Sequence, residues 1–379
     1  MSPHRLYRFA VVSAVLHGFI LAQAPAPGAQ PPRVMWANLA QPPVPADPLE
    51  LVTGNAQPVQ DVNQRAAIIS LLSNAKALSN VRAYPYDLKT SFTAMGSPAS
   101  DGAWQLENVS PGRGFYRWTA EGPGYSVVNL YKNTLLYSSQ PNGTIPLRLA
   151  QVRAAIFYVN SIFGPHASIR TAPASLNGME LTCALTERMT PPKTAVGGRL
   201  WDESEFCVDP KTGFLITYSP VPGLYVLYDY SNALHFHDRI IPGKFTITEA
   251  GRNVIEARTE SVADPTNVEP SLFNPANLTS VGVGPLETPP WNVRSHEYGQ
   301  VDMNGTVALQ VVVLHAMASP DGHLTDAEVL GSSDSGLNQR ALERLAKWQN
   351  WRGSSDAQPG ASPQSHEVYF TFEFAVSGA

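Results

Sequence analysis

Thr306-Val307-Ala308-Leu309-Gln310-Val311-Val312-Val313 is the stretch that decides how the end of this 379-residue chain folds. Its apolar side chains recur with the two-residue period of a β-strand, which places Val307, Leu309, Val311 and Val313 on one face. Ser319-Pro320-Asp321-Gly322 follows, and its Pro presets φ for a type I turn. The sequence therefore predicts that residues 324–330 return as an antiparallel strand.

A helix and a last strand complete this C-terminal region. The Ser- and Asp-rich segment 331–336 is typical of a helix start, and apolar residues follow it at helical spacing, at Leu337, Ala341, Leu342, Leu345 and Trp348. The last strand, residues 368–374, alternates again and has Val368, Phe370, Phe372 and Phe374 on one side. These elements predict a small α+β module in which one helix packs on an antiparallel sheet.

The order of these elements resembles the TonB C-terminal domain family. The family's motifs correspond here to Gly305-x-Val307-x-Leu309-x-Val311, to Asp321-Gly322-x-Leu324, and to Leu337-Asn338-x-x-Ala341-Leu342 followed by Trp348. The family usually continues Trp-x-Phe-x-Pro, whereas this chain has Trp348-Gln349-Asn350-Trp351-Arg352-Gly353 and lacks the Pro. Some other small α+β module is the alternative.

The resemblance implies a TonB-like energy transducer that docks to outer-membrane TonB-dependent receptors. A receptor segment would add as a strand to an exposed sheet edge, where main-chain hydrogen bonds resist pulling. The edge expected to pair is the last strand, which consists of Val368, Tyr369, Phe370, Thr371, Phe372, Glu373 and Phe374.

The amino terminus is typical of an export signal or a short membrane anchor. Arg5 and Arg8 precede an apolar run over residues 9–22, which is short for a membrane span of about 20 residues. This length favours a cleaved signal peptide within residues 1–24. Pro25 disfavours cleavage, because it directly follows the small-x-small site Ala22-Gln23-Ala24.

Two polar residues inside this run, Ser13 and His17, lie four apart and so share one helix face. An ionisable side chain within a membrane segment is costly and by default marks function. The pair resembles the Ser-x-x-x-His motif of TonB-type anchors, which implies contact with an inner-membrane ExbB/ExbD-type motor complex. It also implies the cell envelope of a Gram-negative-type bacterium, with the rest of the chain in the periplasm. An ordinary signal peptide is the alternative.

Composition divides the chain into domains and linkers. Only 15% of the residues are charged and 33 are Pro, which is typical of an exported protein with linkers. Residues 25–60 and 263–298 are predicted to be extended Pro-rich linkers, because they bury too little apolar surface to fold. They flank a β-rich domain, residues 61–262, and precede the C-terminal module, residues 299–379. The net charge of −5 gives no basic surface for nucleic acid.

The domain between the linkers is predicted to begin with a helix over residues 64–79, capped by Asn63. Many short strands follow, and a second helix over residues 147–163 interrupts them. This layout resembles the LolA-like lipoprotein-carrier half-barrels. The residues that carry the resemblance are Asp101-Gly102-Ala103-Trp104, Arg117-Trp118 and the turn Asp209-Pro210-Lys211-Thr212-Gly213. The resemblance implies a concave apolar surface that holds a hydrophobic ligand. A plain β-rich spacer is the alternative.

Few residues suggest bond-making chemistry. Cys183 and Cys207 lie in strand-like runs, which is compatible with a disulfide or with two buried thiols. His235 and His237 would share a strand face, but a third metal ligand is not evident. The acidic segment Trp201-Asp202-Glu203-Ser204-Glu205 is interpreted as a loop beside a strand. We expect no enzyme, no cofactor and no metal site.

Two functions therefore remain open. The first is the TonB-like transducer, which couples receptors to a proton-driven motor. The second is a soluble periplasmic carrier of lipid or lipoprotein, for which the C-terminal module provides docking.

Overall fold

The computed structural model describes residues 51–52, 56–96, 100–112, 114–141, 145–157, 168–187, 199–201, 203–266, 268–283, 296–298, 307–318, 323–347 and 366–377. All of them belong to one compact unit. The predicted signal or anchor, with Ser13 and His17, and most of the first linker lie outside these residues. Within the described ranges, no helix has the length and apolar character needed to cross a membrane.

Three α-helices and twenty strands are present in the described residues. The helices are α1 (Val62–Ser79), α2 (Leu147–Phe157) and α3 (Asn338–Ala346). The strands are β1 (Gln57–Pro58), β2 (Tyr86–Ala94), β3 (Gly102–Gly112), β4 (Phe115–Gly122), β5 (Tyr125–Lys132), β6 (Leu135–Ser138), β7 (Ser168–Leu176), β8 (Met179–Glu187), β9 (Ser204–Val208), β10 (Leu215–Val221), β11 (Leu224–Asp229), β12 (Leu234–Phe236), β13 (Arg239–Ile241), β14 (Lys244–Glu249), β15 (Arg252–Ala263), β16 (Thr279–Val283), β17 (His296–Tyr298), β18 (Val307–Ala318), β19 (Leu324–Ser332) and β20 (His366–Ser377).

Fourteen of these strands form one open antiparallel sheet of the half-barrel-like kind. Their order is β1-β7-β8-β9-β10-β11-β14-β15-β2-β3-β4-β5-β6-β16. Most neighbours in this order are also neighbours in sequence. β2 shows how one face of the sheet is buried, because Leu88, Thr90 and Phe92 are buried while Lys89 and Thr93 are exposed. The large sheet therefore has an inner face, which the helices cover, and a solvated outer face.

The two helices on the inner face differ in how deeply they are buried. In α1, only Leu72 and Ala75 are buried, and the cap is Asp61, whose Oδ1 accepts a hydrogen bond from the Gln64 N–H at 2.8 Å. The predicted cap, Asn63, is wrong because the helix already begins at Val62. In α2, by contrast, eight of the eleven residues are buried. The weakly buried α1 is thus the easier of the two to displace.

The C-terminal module has the predicted order of elements. β18 pairs antiparallel with β19 and with β20, and the sheet order is β17-β20-β18-β19. Apolar side chains of both central strands pack with Ala341 and Leu345 of α3, namely Val312, Leu314, Ala316, Ala318, Phe370, Phe372 and Phe374. Opposite them, Val311, Val313, His315, Tyr369 and Thr371 are buried on the other face. Both faces of this small sheet are therefore covered, whereas the sequence predicted one apolar face for β18.

The predicted linkers are partly folded. Phe273, within the segment expected to be extended, is buried and packs edge-on against Phe115 at 6.1 Å between ring centroids. β16, which begins six residues further on, adds to the edge of the large sheet by pairing with β6. Before α1, β1 pairs with β7, and Val52 and Ala56 join a buried cluster. The prediction of linkers is therefore wrong for residues 270–273, 279–283 and 57–58, because backbone pairing and single apolar anchors order them.

One glycine makes close contact between the large sheet and the C-terminal module. Gly223, in the turn from β10 to β11, has φ +84°, and a Cβ there would lie 2.1 Å from the carbonyl oxygen of Leu330 in β19. We expect Gly223→Ala to destabilise the protein by roughly 1–3 kcal/mol more than a matched glycine substitution, because the backbone oxygen cannot move independently. Gly178→Ala is the control, since Gly178 has φ +79° and no atom near its added Cβ. Equal shifts in urea unfolding midpoints would contradict the close contact.

Candidate functional site

The inner face of the large sheet contains an apolar cavity beneath both helices. The end of α1 contributes Ser79, α2 contributes Ala155 and Ile156, and the remaining lining residues are Val81, Leu88, Thr90, Leu215, Tyr228, Tyr230, Ile241, Pro242, Phe245 and Thr259. Its volume is about 30 Å³. A cavity of that size holds a water molecule or two, whereas ligand sites usually enclose about 300–1,000 Å³. The cavity in this structure is therefore far smaller than an ordinary ligand site.

One hydroxyl group stands out in the apolar lining. Thr90 is 1% exposed, and its Oγ1 has no hydrogen-bond partner among the described residues. By contrast, the Thr259 hydroxyl donates to the Pro242 carbonyl oxygen at 2.8 Å, and the Tyr228 hydroxyl donates to the Ala155 carbonyl oxygen at 2.8 Å. Burial raises the pKa of Tyr228 well above its usual value, so this phenol stays neutral. Thr90 is thus a polar group available to a ligand that is otherwise apolar.

α2 is held in place by buried polar contacts on two sides. Arg153 donates from Nη1 to Asn108 Oδ1 at 3.0 Å and from Nη2 to the Tyr116 hydroxyl at 3.1 Å, and its guanidinium lies 3.8 Å from the centre of the Trp118 ring. One turn earlier, Arg148 Nη1 lies 2.8 Å from Glu249 Oε2 at the end of β14. Gln151 also donates to Glu249. These contacts fix the helix that forms one wall of the cavity.

Glu249 links α2 to the C-terminal module. Its Oε1 lies 3.8 Å from Nδ1 of His315, which is 1% exposed in the middle of β18. On the far side of the imidazole, Nε2 lies 4.0 Å from Oε2 of Glu328 in β19, and Glu328 pairs with Arg252 of β15. We call Arg148, Glu249, Arg252, His315 and Glu328 the junction cluster.

Burial and charge decide how the junction cluster is protonated. Desolvation lowers the pKa of His315, and the positive charges of Arg148 and Arg252 act in the same direction, so the imidazole is neutral near pH 7. Burial raises the pKa of Glu249, whereas a positive charge on His315, the Arg148 guanidinium and the hydrogen bonds from Arg148 and Gln151 lower it. Because a neutral His315 offers no positive charge, Arg148 is the cation that keeps Glu249 ionised.

The structure agrees with some of the sites predicted from sequence and disagrees with others. β20 is not an open edge along its length, because β17 pairs parallel with Thr371, Phe372 and Glu373. The prediction of a free pairing edge is therefore wrong over those residues, and the capture of a receptor segment stays a prediction. Cys183 and Cys207 are directly opposed on β8 and β9 and are joined as a disulfide. The motor contact expected of Ser13 and His17 falls outside the described residues.

The acidic segment near Trp201 leads directly into β9, as the interpretation of a loop beside a strand expects, and its described residues are buried or half-buried. Glu203 is 0% exposed, and it accepts hydrogen bonds from Arg170 Nε and Nη2, both at 2.7 Å, and from the Leu200 N–H at 2.7 Å. Arg199 donates to the Ser219 hydroxyl at 2.7 Å. The expected pairing of His235 and His237 on one strand face is wrong, since His237 follows β12 in a turn with φ +53°.

Sequence reasoning missed the junction cluster. His315 lies within an apolar run, Val311 to Ala318 with Gln310 before it, and a buried imidazole there is the one signal that could have been followed. Glu328 is the cross-strand partner of His315 in the β18–β19 hairpin, but Arg148, Glu249 and Arg252 come from two distant parts of the chain, so spacing gives no indication of them.

A wider hollow lies on the outer face of the large sheet, with a volume of about 370 Å³. Its rim includes Lys244, Glu256 and Arg258, all exposed. Such a surface is typical of the solvated side of an antiparallel sheet. The inner cavity, with its continuous apolar lining, is therefore the better candidate for a ligand site.

No protein-family model and no curated protein sequence matches this chain. Among solved structures, it is similar to a LolA superfamily protein from Nitrosomonas europaea, with 11% identity, a TM-score of 0.37 and coverage of 54% of this chain and 96% of that chain. It is also similar to an outer membrane lipoprotein-sorting protein domain from Vibrio parahaemolyticus, with 10% identity, a TM-score of 0.35 and coverage of 54% and 95%. A third is a DUF1329 family protein from Desulfovibrio piger, with 7% identity, a TM-score of 0.36 and coverage of 55% and 97%. Both family resemblances stated from the sequence therefore stay predictions.

Proposed function

We propose that this protein is an extracytoplasmic carrier that binds one acyl chain, or a comparable apolar group, between the large sheet and helices α1 and α2. The observation that carries the proposal is the continuous apolar lining of the cavity beneath these helices, formed by side chains such as Leu88, Ile156 and Phe245. Transfer of apolar surface from water into such a site is favourable by about 25 cal/mol per Å².

The ligand requires the cavity to expand. At about 30 Å³ the closed site is too small for an acyl chain. Displacement of α1 could provide this expansion. The helix has 18 residues but only two buried side chains, so its displacement costs little free energy. The Thr90 hydroxyl would then accept or donate a hydrogen bond at a polar point of the ligand, such as its carboxyl or ester group.

The disulfide supports an extracytoplasmic compartment. Cys183 and Cys207 are joined between adjacent central strands. Disulfides persist in oxidising compartments such as the periplasm and are rare in the cytosol. A carrier of acyl groups in the cell envelope is consistent with that chemistry, and it corresponds to the second of the two functions left open by the sequence.

Filling the cavity tests the proposal. Ala155→Leu adds three carbons to the wall formed by α2, and we expect it to weaken binding of a fluorescent fatty acid by about 1–3 kcal/mol, or roughly 5- to 150-fold. Ala77→Leu is the matched control, because Ala77 is exposed on α1. Fluorescence titration measures the affinity, and circular dichroism checks that each variant is folded.

Thr90→Val serves as a second variant if Ala155→Leu does not fold, because it keeps the shape of the side chain and removes the hydroxyl. We expect it to reduce the preference for a fatty acid over the corresponding alkane. Saturable binding that is equal in wild type, Ala155→Leu and Thr90→Val would contradict the site, and so would a wild-type protein that binds no acyl probe.

A further inference from the structure

We propose that the junction cluster is a latch that holds the cavity closed, and that His315 makes this latch sensitive to acid. The inference rests on the proposed carrier function and concerns its regulation. The latch joins the C-terminal module to α2, so its release would remove one of the two sets of contacts that hold the helix forming one wall of the cavity.

A continuous series of contacts connects the module to the cavity. Ala155 and Ile156 line the cavity near the end of α2, and Arg148 and Gln151, one to two turns earlier, bind Glu249. Glu249 in turn faces His315 of β18. Tyr369 of β20 lies beside the imidazole at 5.9 Å between ring centroids, and β20 also contacts α2. Movement of β18 away from Glu249 would therefore remove support from α2.

The cluster is balanced in charge only while His315 is neutral. Two carboxylates, Glu249 and Glu328, face two guanidinium groups, Arg148 and Arg252. Asp326 of β19 adds a more distant negative charge. His315 Nδ1 is buried and has no hydrogen-bond partner among the described residues, so a proton added there would be poorly solvated. Protonation therefore favours an open form in which water reaches the imidazole.

The same balance argues against a metal site. Glu249, His315 and Glu328 offer three ligand atoms within 4.8 Å of one another. Each carboxylate is already paired with an arginine, so a divalent cation would add two positive charges to a partly buried group that has no net charge. We therefore assign the cluster to a latch between two parts of the chain.

The direction of the pH effect follows from the pKa of His315, which is lowered in the closed form. Between the ordinary value of about 6.5 and the lowered value, the open form binds more protons than the closed form. Closure is thus fully stable above about pH 7 and is lost as the pH falls below about 6.5. Glu249 accepts a hydrogen bond from Gln151 and lies 2.8 Å from Arg148 Nη1, and both contacts favour its carboxylate form, so we assign the response to His315.

Acid should raise the affinity for the acyl probe. If a ligand binds only the open form, its apparent affinity increases with the open fraction, up to about tenfold per unit of pKa difference between the two forms. We expect wild type to bind a fluorescent fatty alcohol, which has no group that titrates in this range, about 3- to 10-fold more tightly at pH 5.5 than at pH 7.5. In His315→Gln this difference should disappear.

Two further variants complete the experiment. His235→Gln is the matched control, because His235 is an exposed histidine of β12 outside the cluster, and it should keep the acid response of wild type. Glu328→Gln removes a partly exposed negative charge beside His315, and it should shift the midpoint of the response to lower pH. Glu328→Gln also provides the test if His315→Gln does not fold.

Hydrogen exchange of residues 310–318, corrected for intrinsic rates at each pH, reports opening without any ligand. Faster exchange at pH 5.5 in wild type but not in His315→Gln would support the latch. Equal acid responses of wild type and His315→Gln in both measurements would overturn it. If the proposed carrier function is wrong, the probe will not bind at either pH. Hydrogen exchange does not depend on the probe and would still test the latch.

Discussion

Glu203→Ala is expected to destabilise the protein by about 3–5 kcal/mol, which is the usual cost of removing one member of a buried ion pair. Glu203 and Arg170 are each 0% exposed and are joined by two hydrogen bonds of 2.7 Å. The substitution would leave the buried Arg170 guanidinium of β7 without its carboxylate partner. Chemical denaturation, followed by tryptophan fluorescence, measures the change in unfolding free energy.

Glu256→Ala is the matched control for this experiment. Glu256 lies on the outer face of β15 and is exposed, and substitutions at such positions usually change stability by less than about 0.5 kcal/mol. If Glu203→Ala lowers the unfolding free energy by less than about 1 kcal/mol, the ion pair between Glu203, just before β9, and Arg170 of β7 does not stabilise the fold.

Removal of the disulfide is the second change with a large expected effect. Cys183 and Cys207 are separated by 24 residues along the chain and lie between the buried strands β8 and β9. For a loop of this size, the reduced conformational freedom of the unfolded chain corresponds to about 3 kcal/mol. We expect Cys183→Ala/Cys207→Ala to lose about 2–4 kcal/mol in the same denaturation experiment.

A reductant provides the control for the disulfide. Wild type in dithiothreitol should lose as much stability as the double variant, whereas the double variant should be unaffected by dithiothreitol. A wild-type protein whose stability does not depend on the reductant would contradict a contribution of this bond.

The fold was predictable where alternation of apolar residues is strong and local. β2, β11 and β18 alternate or run apolar, and turns such as Asp209 to Gly213 separate them, so strands were expected close to where they occur. β7 and β15 were missed. β7 contains Pro173, and β15 is rich in charged residues, so neither has the composition of a typical strand. Each presents one face to water and is recognised as a strand only through its neighbours.

The site implied by the sequence stays a prediction, and its polar surroundings were not foreseen. The sequence indicated a concave apolar surface through the resemblance of the middle region to half-barrel carriers. It did not indicate that α2 would contribute arginines to the interior, since Arg148 and Arg153 look like ordinary exposed positions of a short helix. Their burial depends on Glu249, Asn108 and Tyr116, which tertiary structure brings to the helix.

The C-terminal module shows the same limit. Its hairpin, helix and last strand were predicted from local pattern, and the structure contains them. Its attachment to the large sheet was not predicted, because the contacts of Gly223 with Leu330 and of Glu249 with His315 join distant parts of the chain. The module predicted as a freely reaching docking domain is in this structure packed against α2 and the large sheet.

Site mapping with a photoreactive fatty acid tests the central claim most directly. The purified full chain is irradiated with a diazirine-labelled acyl probe, and labelled peptides are identified by mass spectrometry. We predict saturable labelling, competed by unlabelled fatty acid, at residues that line the inner cavity, in particular Leu88, Ile156 and Tyr228. Labelling confined to the outer face around Lys244 and Arg258 or to the C-terminal module, or labelling that does not saturate, would contradict the account.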